Sequence, residues 1–203
     1  MNTILAPFII FLLLAFSGVT MADHAIGRTT KPCAACHGQD GRSLNPAWPN
    51  LAGQRADYLD KQLHDLKQNQ SRQVDDAMAP FIRELTDEDI QNIAAFYAKK
   101  PLPSGTHRLR KKNIRGEELY RQGDAKQHIM ACATCHGANA TGNGMPGFPS
   151  LAGQHINYTI RQLEAFKTNA RQNDPGHTMH MVTAPMSSED IYAIAYYLAS
   201  LPK

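Results

Sequence analysis

A chain of 203 residues with 42% hydrophobic and 19% charged residues, 14 Gly and 12 Pro is ordinary globular material, which excludes a disordered or low-complexity chain. The length fits one large domain or two of about a hundred residues. The formal charge of +3 gives no ground for a nucleic-acid partner, and none is expected.

Residues 1–22 read MNTILAPFIIFLLLAFSGVTMA, carry no charged side chain and place Thr20 and Ala22 at the minus-three and minus-one positions of a cleavage site. This is the pattern of an export signal cleaved after Ala22. Its basic n-region is missing, and residues 3–22 would span roughly 30 Å as a helix, so an uncleaved membrane anchor is the alternative. Pro7, Ser17 and Gly18 suit a processed signal better. Either reading places the remainder outside the cytoplasm.

The stretch CAACHG begins at Cys33, and CATCHG repeats it from Cys132, so the two copies hold all four cysteines of the chain. Four cysteines in an exported protein are ordinarily two disulfides, but disulfides do not explain a His-Gly after each pair. A zinc ribbon would bring the pairs to about 15–20 residues of each other, and a thioredoxin-like pair needs a βαβ context that is absent. Cys-x-x-Cys-His is instead the attachment signature of c-type haem. Two thiols about one helical turn apart can form thioethers to the two vinyl groups on one porphyrin edge, and the adjacent histidine then points at iron. Cys33 and Cys36, and Cys132 and Cys135, are therefore expected to carry two covalently bound haem c groups, with His37 and His136 as axial ligands.

The rest of the chain is also written twice. PNLAGQRADYLDKQL from Pro49 matches PSLAGQHINYTIRQL from Pro149, and LTDEDIQNIAAFYA from Leu85 matches MSSEDIYAIAYYLA from Met186. Tyr58, Leu59, Leu63 and Leu66 fall at helical spacing, as do Tyr158, Leu163 and Phe166. In the last block Thr86 or Ser187 can cap a helix, acidic residues fill its first turn, and Ile90, Ile93, Ala94 and Tyr97 form an apolar stripe that recurs as Ile191, Ile194, Ala195 and Leu198. Pro101 and Pro202 stop these helices. No stretch alternates with period two, so the fold class is all-α. Each half is a small helical unit with long loops and little core of its own, which leaves the middle for something else to fill.

Residues 101–115, PLPSGTHRLRKKNIR, hold five basic residues and no acidic one. The run reads as a solvated linker. The sharper alternative sets it beside buried or partner carboxylates. Residues 1–22 are thus a signal, 23–100 a first unit, 101–115 a linker and 116–203 a second unit.

The sixth iron position decides between passing electrons and binding a substrate. Counting back twelve residues from the first isoleucine of the terminal helix gives Met78 from Ile90 and Met179 from Ile191. Met181 is the runner-up, while Met181 and Met186 align with Pro80 and Leu85 and suit core or loop packing; Met145 is the remaining methionine after that unit's haem motif. His64, His155, His177 and His180 have no counterpart in the other unit and read as isolated surface residues. Thioether sulfur favours ferrous iron, which suits outer-sphere electron transfer better than substrate chemistry.

These motifs in this order, Cys-x-x-Cys-His-Gly, Pro-x-Leu-Ala-Gly-Gln-x-x-x-Tyr, a methionine and an Asp-Ile helix, resemble the dihaem cytochromes c4 over residues 23–203. The resemblance implies two tandem class I cytochrome c domains related by a pseudo-twofold axis, with haem propionates facing the domain interface. It implies a periplasmic electron carrier without substrate turnover, often associated with the membrane, between a quinol-oxidising complex and a terminal oxidase. It also implies that the carbonyls of Pro49 and Pro149 accept from His37 and His136. Tyr58 and Tyr158 approach the propionates or are core tyrosines. Trp48 and Phe148 are expected to pack on the haem wall. The alternatives are a dihaem electron-accepting subunit of a dehydrogenase, such as flavocytochrome c, and a dihaem peroxidase. The first unit departs from the pattern: DHAIGRTTKP before Cys33 offers no recognisable first helix, whereas GEELYRQG from Gly116 does. The first unit is accordingly expected to be the less stable.

Overall fold

The computed structural model describes residues 21–68, 76–105 and 114–201, with the side chains of 21–28 left aside. The leader up to Thr20 and the charge run at Arg108, Arg110, Lys111 and Lys112 lie outside the described residues. The helices are α1 (Met21–His37), α2 (Ala56–Lys67), α3 (Ala79–Arg83), α4 (Asp87–Ala98), α5 (Ile114–Gln122), α6 (Ala133–His136), α7 (Ile156–Lys167), α8 (Thr178–Thr183) and α9 (Ser188–Ser200). Among the described residues the extended pairing is a single isolated bridge between Asp124 and Ile129.

Capping chemistry starts α4 and α9 where the sequence placed them. Thr86 Oγ1 accepts from the Asp89 N–H at 3.1 Å, and the Asp89 carboxylate accepts from the Thr86 N–H at 2.9 Å. Ser187 and Asp190 repeat this at 3.1 Å in both directions. Each box satisfies two N–H groups that a helix start otherwise leaves open. The apolar stripes behind them are buried, and each isoleucine so placed contributes about 1.5–3 kcal/mol.

In the first unit Leu59, Ile93, Ala94 and Tyr97 form a core cluster against which Cys33 packs. In the second, ten buried residues centred on Leu119, Tyr120, Met186, Ile191 and Leu198 do the same, and Cys132 packs there. Among the described residues the second cluster is the larger, and in it α5 crosses α9 closely: a Cβ on Gly116 would stand 2.2 Å from the Ala193 carbonyl oxygen.

One expectation needs correction. The first unit does have a first helix: α1 continues through Pro32 to His37 and packs on α4, where Thr29 Oγ1 donates to Asp89 Oδ1 at 3.4 Å. A proline inside a helix removes one backbone hydrogen bond, and docking on a capped partner helix opposes that cost. Arg115 lies in α5 and pairs with Asp190 and Asp124, each at 2.9 Å, so it reaches a buried carboxylate rather than serving as tether.

Candidate haem sites

Both cysteine motifs end a helix at the histidine, and the glycine that follows explains the stop. Gly38 and Gly137 adopt φ of 78° and 79°. A Cβ there would stand 2.2 Å from the Arg42 carbonyl oxygen and 2.6 Å from that of Gly142, so both position and conformation call for glycine. The chain then folds back beneath the imidazole. His37 Nδ1–H donates to the Pro49 carbonyl at 2.8 Å, and His136 Nδ1–H donates to that of Pro149 at 3.0 Å. A carbonyl only accepts, so these bonds fix the tautomer and leave Nε2 with its lone pair. Burial lowers the pKa of both rings, opposed by the proline bonds, which keeps them neutral and fit to ligate. The four thiols are unpaired. Burial pushes the Cys33 thiol up and that of Cys132 to about 11.

Met78 stands at the N-cap position of α3 and Met179 in the first turn of α8, both half-buried. Met145 and Met181 are 51% and 62% exposed, and Met186 is enclosed in the second core. The Met179 N–H donates to Asp174 Oδ2 at 2.6 Å. Two matched lysines bracket these segments: Lys67 Nζ donates to the Leu85 carbonyl, and Lys167 Nζ to that of Met186. His64 and His180 turn a ring nitrogen to the carbonyls of Asp60 and Phe166, and His155 reaches across to Ser43. His177 takes a left-handed conformation at the head of α8. The His136 ring stands edge-on to Phe148, with ring centroids 6.2 Å apart, and Trp48 is half-buried.

The seam between the units holds residues to which the sequence assigned no role. Gln54 bonds Ser150 with both ends of its amide, at 2.8 Å each, and Gln154 does the same to Asn50 at 2.9 and 3.0 Å. Arg171, 5% exposed, donates to Asn173, Gln162, Tyr58 and Gln62 at 2.6–3.1 Å. All four acceptors are neutral. The recurrence of Leu-Ala-Gly-Gln marks the glutamines without showing which unit each serves, whereas Arg171 falls where the repeat changes length and carries no signal.

These residues fit covalently attached haem: two pairs of free thiols, two neutral imidazoles with Nε2 open, and a buried cation in the seam whose hydrogen-bond acceptors are neutral, with the Asp174 carboxylate also acting on it, and which suits acidic propionates. Among the described residues no group of three or more His, Cys, Asp and Glu side chains is placed to hold a metal ion. Fold and sites together define a c-type cytochrome with two haem-bearing units. Residues 114–202 match the family described as cytochrome c, and residues 27–96 that described as cytochrome c oxidase, cbb3-type, subunit III. Cytochrome c4 of Thiocapsa roseopersicina is 41% identical over 83% of this chain and 86% of its own. The thiosulfate dehydrogenase electron acceptor of Stutzerimonas stutzeri (strain A1501) is 34% identical over 83% of this chain and 78% of its own. The crystal structure of reduced recombinant cytochrome c4 from Pseudomonas stutzeri superposes with a TM-score of 0.77 at 36% identity, covering 88% of this chain and 97% of that one. The chain belongs to the dihaem cytochrome c4 family, whose members are electron carriers, and its cofactors are two covalently bound haem c groups.

Proposed function

We propose that the protein carries single electrons in the periplasm between a quinol-oxidising complex and a terminal oxidase, without substrate turnover. In this reading residues 23–100 and 116–203 each hold one haem. Cys33 and Cys36 form the thioethers of the first, with His37 and Met78 as axial ligands. Cys132 and Cys135 form those of the second, with His136 and Met179. The haem pair supplies reversible one-electron chemistry when bound. The protein closes both axial positions, which disfavours substrate binding, and the proline carbonyls orient the imidazoles. Arg171 offers positive charge where the propionates of the family face the seam.

The observation that carries this reading is the duplication of one arrangement: a neutral imidazole locked by a proline carbonyl, and a half-buried methionine at the matched position. No helix among the described residues is long and apolar enough to cross a membrane. Attachment to the outer face of the inner membrane would therefore be peripheral or through the leader. A redox titration of the intact protein followed optically tests the proposal. Two low-spin haems with two one-electron waves are expected, without rapid peroxide turnover; a high-spin site open to external ligands contradicts it.

A second reading has a specific support. The relative that accepts electrons from a thiosulfate dehydrogenase spans most of this chain. Under that reading the donor is a dehydrogenase, and the protein co-purifies with it.

A further inference from the structure

We propose that Gln54 and Gln154 are positioning residues that tune the axial histidine of the opposite unit. The inference rests on the reading of His37 and His136 as iron ligands. Gln154, which follows the second Leu-Ala-Gly, accepts from the Asn50 N–H at 2.9 Å and donates to the Asn50 carbonyl at 3.0 Å. Gln54 accepts from the Ser150 N–H at 2.8 Å and donates to the Ser150 carbonyl at 2.8 Å. The arrangement is reciprocal: each unit lends its glutamine to the other.

The N–H that each glutamine engages lies in a telling place. The Asn50 N–H and the Pro49 carbonyl are the two ends of one peptide group, and His37 donates to that carbonyl at 2.8 Å. The Ser150 N–H and the Pro149 carbonyl are likewise one peptide group, to which His136 donates at 3.0 Å. A peptide whose N–H donates is polarised so that its oxygen gains charge and accepts more strongly. A stronger acceptor draws the Nδ1 proton and makes Nε2 a better electron donor to a bound metal. Better donation favours the oxidised ion and lowers the potential.

The seam preserves this polarisation. Asn50, Gln54 and Ser150 are each less than a tenth exposed, so water does not readily replace the amide. Each glutamine oxygen also accepts the N–H of its own successor, Arg55 at 3.0 Å and His155 at 2.9 Å, which fixes the amide with oxygen toward both N–H groups. The chain of contact thus runs glutamine, peptide, imidazole, and it crosses the boundary between units both times. A merely structural role would disturb a glutamine's own unit, or both equally.

The test uses the full-length holoprotein with Gln54→Ala and Gln154→Ala, resolving the two one-electron waves by optical redox titration. The waves are assigned to units by Met78→Ala and Met179→Ala. Gln154→Ala is expected to raise the potential of the first unit by about threefold to tenfold in the reduction equilibrium, at 59 mV per tenfold. The second unit should move less than half as far, and Gln54→Ala should do the converse. A shift confined to the glutamine's own unit, an equal shift in both, or no shift overturns the proposal. Gln54→Glu and Gln154→Glu provide a second pair if the alanine variants fail to mature. A carboxylate accepts the same N–H more strongly, so the opposite unit's potential should fall by more than twice any change in the glutamine's own unit, and a larger change in its own unit, or none in the opposite one, overturns the proposal equally. Failure of the ligand reading is distinguishable, because it would appear in the unsubstituted protein as a high-spin spectrum.

Discussion

Met179→Ala is expected to lower the reduction potential of the second unit by at least about a hundredfold in equilibrium, roughly 120 mV at 59 mV per decade, while the first unit stays in place. Met78→Ala should do the converse. The reason is chemical: thioether sulfur stabilises ferrous iron, and its loss leaves water or an exogenous ligand that does so less well. The surroundings support these two methionines. Met179 is half-buried at the head of a short helix whose backbone is fastened by Asp174, and Lys167 secures the segment's far end on Met186. Met181, 62% exposed, is the control, and its alanine variant should leave both potentials unchanged. Titration of the three variants, with cyanide binding as a second readout, decides the matter. A shift with Met181→Ala, or none with the other two, would reassign the ligands.

Asp190→Ala is expected to cost the second unit about 2–3 kcal/mol, against about 1 kcal/mol for Asp89→Ala in the first. The two aspartates occupy the same place in the repeat but different surroundings. Asp190, 4% exposed, accepts from the Ser187 N–H and hydroxyl and from Arg115, whose guanidinium also grips Asp124 and Gln127. Asp89 has the Thr86 cap and one longer contact from Thr29. Burial acts to raise the Asp190 pKa, but the Ser187 bonds and Arg115 outweigh it and hold the carboxyl below the usual range. A depressed carboxyl contributes stability above its unfolded pKa near 4 and loses it as pH falls through the folded value. Thermal melts from pH 7 down to about 2 should therefore show the gap between native protein and Asp190→Ala closing below about pH 4. A gap independent of pH contradicts the assignment.

The internal repeat made most of the fold legible. Matched apolar stripes located α2, α4, α7 and α9, because each is amphipathic, and α4 and α9 also begin with a capping box that works within four residues. The first helix was less legible: Pro32 argues against a helix locally, and what sustains α1 is contact with α4, about sixty residues away. The proximal half of each site was readable from the cysteine pairs, the histidine and the following glycine. The seam was not. Gln54 and Gln154 recur, but a repeated residue reads equally well as serving its own unit, and only the placement of Asn50 opposite Gly153 and Gln154 reveals that each serves the other. Arg171 gave no sign of itself because its partners Tyr58 and Gln62 come from the other unit.

Everything proposed here about electron transfer requires two porphyrins joined to four cysteines. Mass spectrometry of protein produced with functional haem-maturation machinery measures this directly. The expected mass is that of the chain plus two haem groups, with Cys33, Cys36, Cys132 and Cys135 all refractory to thiol reagents before and after reduction. A chain mass without haem, or cysteines that become reactive on reduction, would contradict it.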